Sequence, residues 1–500
     1  MASFNTLESG RGRTTIPSFR GLMQYGDGIN ADPRYATDCR NMETPGGVMQ
    51  PAAACILMPP SLAAPIETLA RLHRRWYTGS ESKDILVAGS GGKLYAMLPE
   101  ASAWTELAMP EGVALYQSNE WSWVTYEINP EGSEASVDVL LLSNAKDGMV
   151  MVRGDTMAVS IVNTPKKFGV IERYAERIWG GAIDDDPDML VYSAPYDPTN
   201  WTANVSIPED GAGDISQPSW DGDSFTALRA FGSQLIAFKK TRIWRILGTD
   251  PGEYTFKEQY GGGAPYAATI AVDSERIFML GSRGIMLYDG LTAEPFQTEY
   301  AGSIFRRMNA PVLHKASACL WRGKYYCALP LDGSAINNAV LIYDTADGTW
   351  LLRDDVSVEA FLPTDDELFF TSSTTPGCIW HWQEDSWQTG AATKSACAWT
   401  SPWNDLGRKD YAKGSFEVYL QVEVKDAPVT LSVTLQTEKK SKVKTMTVSP
   451  ITESGKGFKL KCLRFGGTGR RYRLTISVPA GSSCWRLVGG VTILAETDPD

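Results

Sequence analysis

The sequence predicts an all-β fold: a β-propeller of about seven blades followed by a small C-terminal β-sandwich. Three observations carry that expectation. Short apolar runs separated by tight-turn residues recur from about residue 67 to 400. No 11-residue window in that span has the periodicity of an amphipathic helix. Beyond about residue 400 the pattern becomes a strict alternation of apolar and polar residues. Composition agrees, since 16 Trp, 20 Tyr and 46 Gly in 500 residues supply strand formers and turn formers together.

Residues 1–66 lack sustained periodicity and are rich in Gly, Pro and small side chains. They read as an extended N-terminal arm with one or two short strands, partly completing the propeller. Only "SLAAPIETLARLHRRW" (61–76) has a helical look, with Pro65 capping or breaking it.

The propeller body, 67–400, follows from a repeated unit of strand, small or polar turn, and strand. "ILVAGSGGKLYAML" (85–98) and "IFMLGSRGIMLYDG" (277–290) align Gly89, Ser90 and Gly92 with Gly281, Ser282 and Gly284. Looser copies lie at 140–152, 235–247 and 368–382, and "CLWRGKYYC" (319–327) is a tight hairpin with Arg322-Gly323 at its tip. Tips fall near 91, 147, 186, 241, 283, 323 and 376. That spacing averages about 47 residues, the length of a four-stranded blade, and leaves six to eight blades open. A second recurrence is aromatic: Tyr343-Asp344 with Trp350, and a shorter Tyr196-Asp197 with Trp201. The first is similar to the Y-D-x(5)-W element of kelch blades, in which the Asp accepts turn N–H bonds and the rings pack between blades.

Residues 401–500 predict the sandwich. Val418, Leu420, Val422 and Val424 alternate with polar residues, as do Val429, Leu431, Val433 and Leu435, so these are half-buried antiparallel strands. The boundary is expected near "SPWNDLGRKDYAKG" (401–414).

Charge divides along the same line. The net charge is −12, and residues 401–500 hold 16 Lys+Arg against 10 Asp+Glu, or +6, which leaves −18 for residues 1–400. Such a body is unsuited to wrapping nucleic acid by phosphate neutralisation; it is compatible with a surface past which DNA slides, and equally with acidity that serves solubility. The clusters "EKKSKVK" (438–444) and "GRRYR" (469–473) read as a solvated face or a contact for an acidic neighbour, ahead of a nucleic-acid patch. Eight Cys without a C-x-x-C and three scattered His offer no zinc pattern and no dense disulfide frame. Cys319 and Cys327 flank a hairpin tip and read as packed thiols, with a cross-strand bond as the alternative. The N-terminus lacks a signal peptide's apolar core, and no run approaches the ~18 apolar residues of a membrane helix. Synthesis in a reducing cytosol and no membrane contact are expected.

The run "AIDDDPDM" asks whether the chain is an enzyme or a metal protein. A calcium loop of EF-hand type starting at Asp184 needs Gly at its sixth position and Glu at its twelfth, where Met189 and Pro195 stand. One turn cannot set two carboxylates across a glycosidic bond. Asp184, Asp185, Asp186 and Asp188 therefore read as a charged hairpin tip; Asp184, Asp186 and Asp188 are the candidates should a surface ion bind. "YDTADGTW" is one residue out of register with the S-x-D-x-G-x-x-W motif of sialidase propellers, and "AGSGGK" lacks the phosphate-loop spacing. No nucleophile elbow or H-E-x-x-H is present, so no catalytic residue and no cofactor are expected.

Several segments, taken in order, resemble one family. "FRGLMQYGDGINADPRYATDCRNMETPGGVM" carries Gly21-Leu22, Asp38-x-x-Asn41-Met42 and Gly46-Gly47, with "GLMQYGDGIN" standing where a plain G-L-N is common. "ERIWGGAIDDDPDMLVYSAPYDPTNW" carries Arg177, Trp179, Tyr192, Ser193, Asp197, Pro198 and Trp201; "FMLGSRGIMLYDG" carries Gly284, Tyr288, Asp289 and Gly290. These are similar to the virion β-propeller proteins of tailed bacteriophages, of the tail nozzle or packaged-DNA stabilisation type. The resemblance covers most of 17–300, with weaker support to about 425. It implies a non-enzymatic structural protein of the virion tail, made in the host bacterial cytoplasm. It further implies a homo-oligomeric ring, commonly a hexamer, that contacts portal-adaptor or other tail proteins. Such a ring lines or closes the DNA exit channel and passes genomic DNA without sequence recognition. A carbohydrate-binding or adsorption propeller on the tail tip is the alternative, its exposed Trp and Tyr stacking on sugars; a glycosidase would need an acid pair that is not apparent.

Overall fold

The computed structural model describes all residues except 1–4, 9, 25–27, 30, 76–78, 80–82, 99–100, 102, 117–119, 131–134, 217–221, 260, 298, 391–394, 451–457, 482–483 and 500. Among the described residues, seven antiparallel units of four strands follow one another as blades, six of them separate sheets and the sixth in order part of a larger, nine-stranded sheet. Their first strands are Ile66–His73, Ser122–Ile128, Val170–Tyr174, Phe225–Phe231, Ala271–Val272, Ser317–Trp321 and Phe361–Pro363. The first strands of neighbouring blades sit next to one another, that of blade 7 meeting that of blade 1, and blades 4 and 5 are joined through a shared apolar cluster.

Closure rests on seven apolar clusters, one between each pair of neighbouring blades. The second strand of blade 2, Val137–Asn144, shows how one segment serves two of them. Leu140 and Leu142 enter the cluster shared with blade 1, while Val139 and Leu141 enter the one shared with blade 3. Both faces of a blade are buried, so its middle strands are continuous apolar runs rather than alternations. The same fact explains the one helical-looking segment. Ile66 and Leu69 face blade 7 and Ala70 and Leu72 face blade 2, a spacing that mimics a helix although Ile66–His73 is the innermost strand of blade 1. The end of that run, Trp76, lies outside the described residues.

Turn chemistry sets the tips. Gly91 and Gly92 both have positive φ between paired Ser90 and Lys93, the two-residue turn that matches strand twist. Arg322-Gly323 does the same between Trp321 and Lys324, but it joins the first and second strands of blade 6. The other six expected tips join second and third strands.

The arm is more structured than one or two strands. Asn5–Glu8 and Arg11–Ile16 form a hairpin on a sandwich sheet beside Trp485–Pro499. Ile56–Met58 is the outermost strand of blade 7, paired with Ile379–His381, so the beginning of the chain closes the ring on its last blade. Between them, Asp38–Arg40 lies parallel to the last strand of blade 6, Thr349–Arg353, and antiparallel to Cys397–Thr400. That pairing joins blade 6 to the sandwich as one nine-stranded sheet. The sandwich thus draws strands from both ends of the chain and begins by Cys397 rather than in 401–414. Its other sheet contains Tyr411–Val424, Phe458–Gly469 and Trp485–Pro499 with the N-terminal hairpin. One apolar cluster runs from Phe278 and Leu280 of blade 5 through Leu22, Cys39 and Met42 of the arm to Val418, Leu431 and Ile493 of the sandwich.

No helix among the described residues is long and apolar enough to cross a membrane. All eight cysteines are free. Cys319 pairs in register with Tyr326 and Cys327 with Ala318, so the two thiols point to opposite faces of blade 6 and cannot bond.

Candidate functional site: the acidic third blade and the propeller centre

The acid run forms the connection between Arg177–Gly181 and Met189–Tyr192 in blade 3. Its four carboxylates do not converge. Asp185 pairs with Lys166 at 2.5 Å, and Asp188 pairs with Lys239 of blade 4, whose side chain is fully buried over the Phe225 ring. Asp184 is exposed, and Asp186 closes the turn by donating its backbone N–H to the carbonyl of Ile183 at 3.2 Å. Among the described residues no group of three His, Cys, Asp or Glu is placed to hold a metal ion. The Asp188 contact is architectural: it sets a carboxylate beside a buried ammonium at the interface of blades 3 and 4.

The residues framing the run explain why the blade has this sequence. Arg177 is buried, and its guanidinium donates to the carbonyls of Ser193 at 2.8 Å, Gly211 at 2.6 Å and Glu209. One side chain therefore pins both ends of the 193–212 excursion. Trp179 packs against Tyr192 at 4.9 Å and Tyr254 at 5.0 Å, and its indole N–H donates to the Tyr174 carbonyl. Trp201 closes on Phe168, with ring centroids 5.1 Å apart. Tyr196, by contrast, is 72% exposed at φ +61°, so the shortened aromatic pair does not close this blade. In blade 6 the pair does close: Tyr343 and Trp350 are cross-strand partners with rings 4.7 Å apart, packed against Phe296 of blade 5.

The other quoted motifs are also structural joints. Gly21 lies so close to blade 6 that a Cβ there would sit 1.9 Å from the Trp350 carbonyl oxygen, which accepts the Leu22 N–H. Asn41, at φ +54°, donates to Asp354 at 2.6 Å and to the Ala396 carbonyl, bridging propeller and sandwich. Asp289 accepts the N–H groups of Leu291 and Thr292, a side-chain-capped turn. Lys93 pairs with Glu106 on the surface, which suits a hairpin and not a phosphate cradle.

A second constellation, missed in the sequence, lies at the propeller centre. Glu120 and Glu359 each stand two residues before the first strand of their blades, and Glu67 is the second residue of the first strand of blade 1. Burial raises the Glu120 carboxyl, Glu67 raises it further, and His314 opposes. Burial likewise raises Glu359, with Glu120 and Glu67 adding and Lys315 opposing. Glu172, on the first strand of blade 3, is pushed up to about 7 by burial, against the pull of Arg229 on the first strand of blade 4 at 3.8 Å. The signal was positional: aligning blades on their first strands brings Glu120 and Glu359 into one column.

No family model matches the chain, and no curated protein matches it. Among solved structures, it is similar to the WD40 domain of Neurospora crassa Pan2 at 10% identity and a TM-score of 0.36, covering 67% of this chain and 96% of that one. It is similar to YCF48 from Cyanidioschyzon merolae at 8% identity and a TM-score of 0.40, covering 66% and 99%. It is also similar to PorZ, a surface component of the type-IX secretion system of Porphyromonas gingivalis, at 10% identity and 0.37, covering 69% of this chain but 43% of that one. At these values the likenesses carry no argument about activity or partners.

Proposed function

We propose that the chain is an architectural subunit of a tailed-phage virion, several copies of which form a ring in the tail or neck around the DNA exit channel. The observation that carries the reading is the fusion of propeller, arm and sandwich. One apolar cluster and one nine-stranded sheet run through all three, so the unit has no hinge between its parts. A subunit that must hold a channel under internal pressure gains from such continuity; an enzyme gains from a cleft with convergent acids, which the acid run does not supply. The net charge of −12 supports the channel role, because a negative wall repels phosphates and lets DNA pass without adhering. The order of segments resembling phage virion propellers supports the location.

Immunogold labelling of intact particles with an antibody to this chain tests the reading. Label at the tail or neck is the expected result. Label absent from particles would overturn the virion reading altogether, and specific binding of the purified chain on a glycan array would replace the ring with the adsorption reading.

A further inference from the structure

Charge is partitioned between two surfaces that cannot meet within one molecule. From Ile178 to Leu228 the sequence holds ten carboxylates and no Lys, Arg or His. From Glu438 to Arg473 it holds eleven Lys and Arg and two carboxylates. The described residues of the first segment run from the second strand of blade 3 to the first strand of blade 4; those of the second include Ser441–Val448, the edge strand of the nine-stranded sheet that also holds blade 6. Blades 4 and 5 lie between blade 3 and blade 6 on one side of the ring and blades 7, 1 and 2 on the other, so the two surfaces sit far apart around it.

Each surface also exposes apolar side chains. On blade 3, residues 202–210 are all exposed, with Val205 at 93% and Ile207 at 50%, beside Glu209 and Asp210. Residues 202–210 are held in shape although every one of them is exposed. Arg177 pins the excursion, Asn204 accepts the N–H groups of Ser206 and Ile207, and Tyr196 donates its N–H to the Glu176 carbonyl. Within the excursion Tyr196 holds a positive φ, +61°, without being glycine. Strain and exposed apolar surface maintained together mark a contact made outside the molecule. On the sandwich, the edge strand Ser441–Val448 exposes Val443 at 60% between Lys442 and Lys444, next to Lys439 and Lys440.

We propose that the chain associates head to tail, the acidic 193–212 excursion of one copy docking on the lysine-rich sandwich edge of a second copy. This rests on the ring reading above and assigns its interface. The pairing is heterologous, so each copy retains one free surface of each kind until the ring closes. Opposite charge steers the encounter, and Val205, Ile207 and Val443 supply the apolar centre. The lysines also keep the edge strand from pairing indiscriminately, which favours a charged partner over another bare edge.

Mass photometry of the full chain across a salt series tests the assignment, with two reversals: E209K/D210K on the loop and K439E/K440E/K442E on the sandwich. Oligomers at low salt that weaken as salt rises are expected, and each reversal should raise the apparent Kd about tenfold or more. Mixing the two reversed chains should restore assembly, because each then meets its complement on the other. Oligomers of unchanged stability in both reversals would overturn this interface while leaving the ring reading in place. Monomers from the unaltered chain under all conditions would overturn both.

Discussion

Glu172 offers the sharpest test of how the blades are joined. It lies on the innermost strand of blade 3 facing Arg229 of blade 4, and its side chain is 19% exposed. Burial lifts its carboxyl from 4.5 to about 7, so between those values the folded chain holds a proton that the unfolded chain has lost. Stability therefore falls as pH rises through this window. The full rise corresponds to about 3 kcal/mol as an upper bound. Partial exposure lowers the expected effect to about 1–2 kcal/mol. Glu172→Gln keeps an oxygen to accept the Arg173 N–H, now 3.1 Å from Glu172 Oε1, and removes the titration. The urea midpoint of E172Q should match that of the parent near pH 4, below the window, and exceed it near pH 8. A variant destabilised equally at both pH values would show that the Arg229 ion pair, and not burial, governs this carboxylate.

Other outcomes follow from named contacts. Asp188→Asn removes a carboxylate from the buried Lys239 ammonium and should destabilise by about 1–3 kcal/mol, whereas Asp184→Asn should stay within about 0.5 kcal/mol, both read as urea midpoints; equal effects would mean the acid run acts as one site. Arg177→Met leaves three carbonyls unmatched and should cost about 3 kcal/mol or more, with new protease cleavage inside 193–212 detected by mass spectrometry. Gly21→Ala places a methyl against the Trp350 carbonyl and should loosen the arm, read as faster amide exchange at Leu22, with a loss of about 1–3 kcal/mol. An unchanged exchange rate would mean the arm is held elsewhere.

Much of the propeller was legible because its signals are local. Gly91-Gly92 and Arg322-Gly323 declare their turns, and runs such as "DVLLLS" declare strands buried on both faces. The segment 61–76 misled for the same reason, since residues serving two neighbouring blades imitate a helical stripe. What stayed hidden depends on contacts distant in sequence. Ile56–Met58 belongs to blade 7 only because the ring closes, and Asp38–Arg40 joins two domains through a short pairing that no periodicity marks. The acid run drew attention by composition, yet its function is divided between Lys166 and Lys239, which lie in other segments. Glu172 and Glu120 have unremarkable neighbours; only the blade register gathers them at the centre.

The ring itself is the central claim. Negative-stain microscopy of the purified full chain, alone and mixed with a portal-adaptor protein, tests it most directly. Class averages showing closed rings with an open centre are the result this account expects. Single particles the size of one chain in both samples would contradict it.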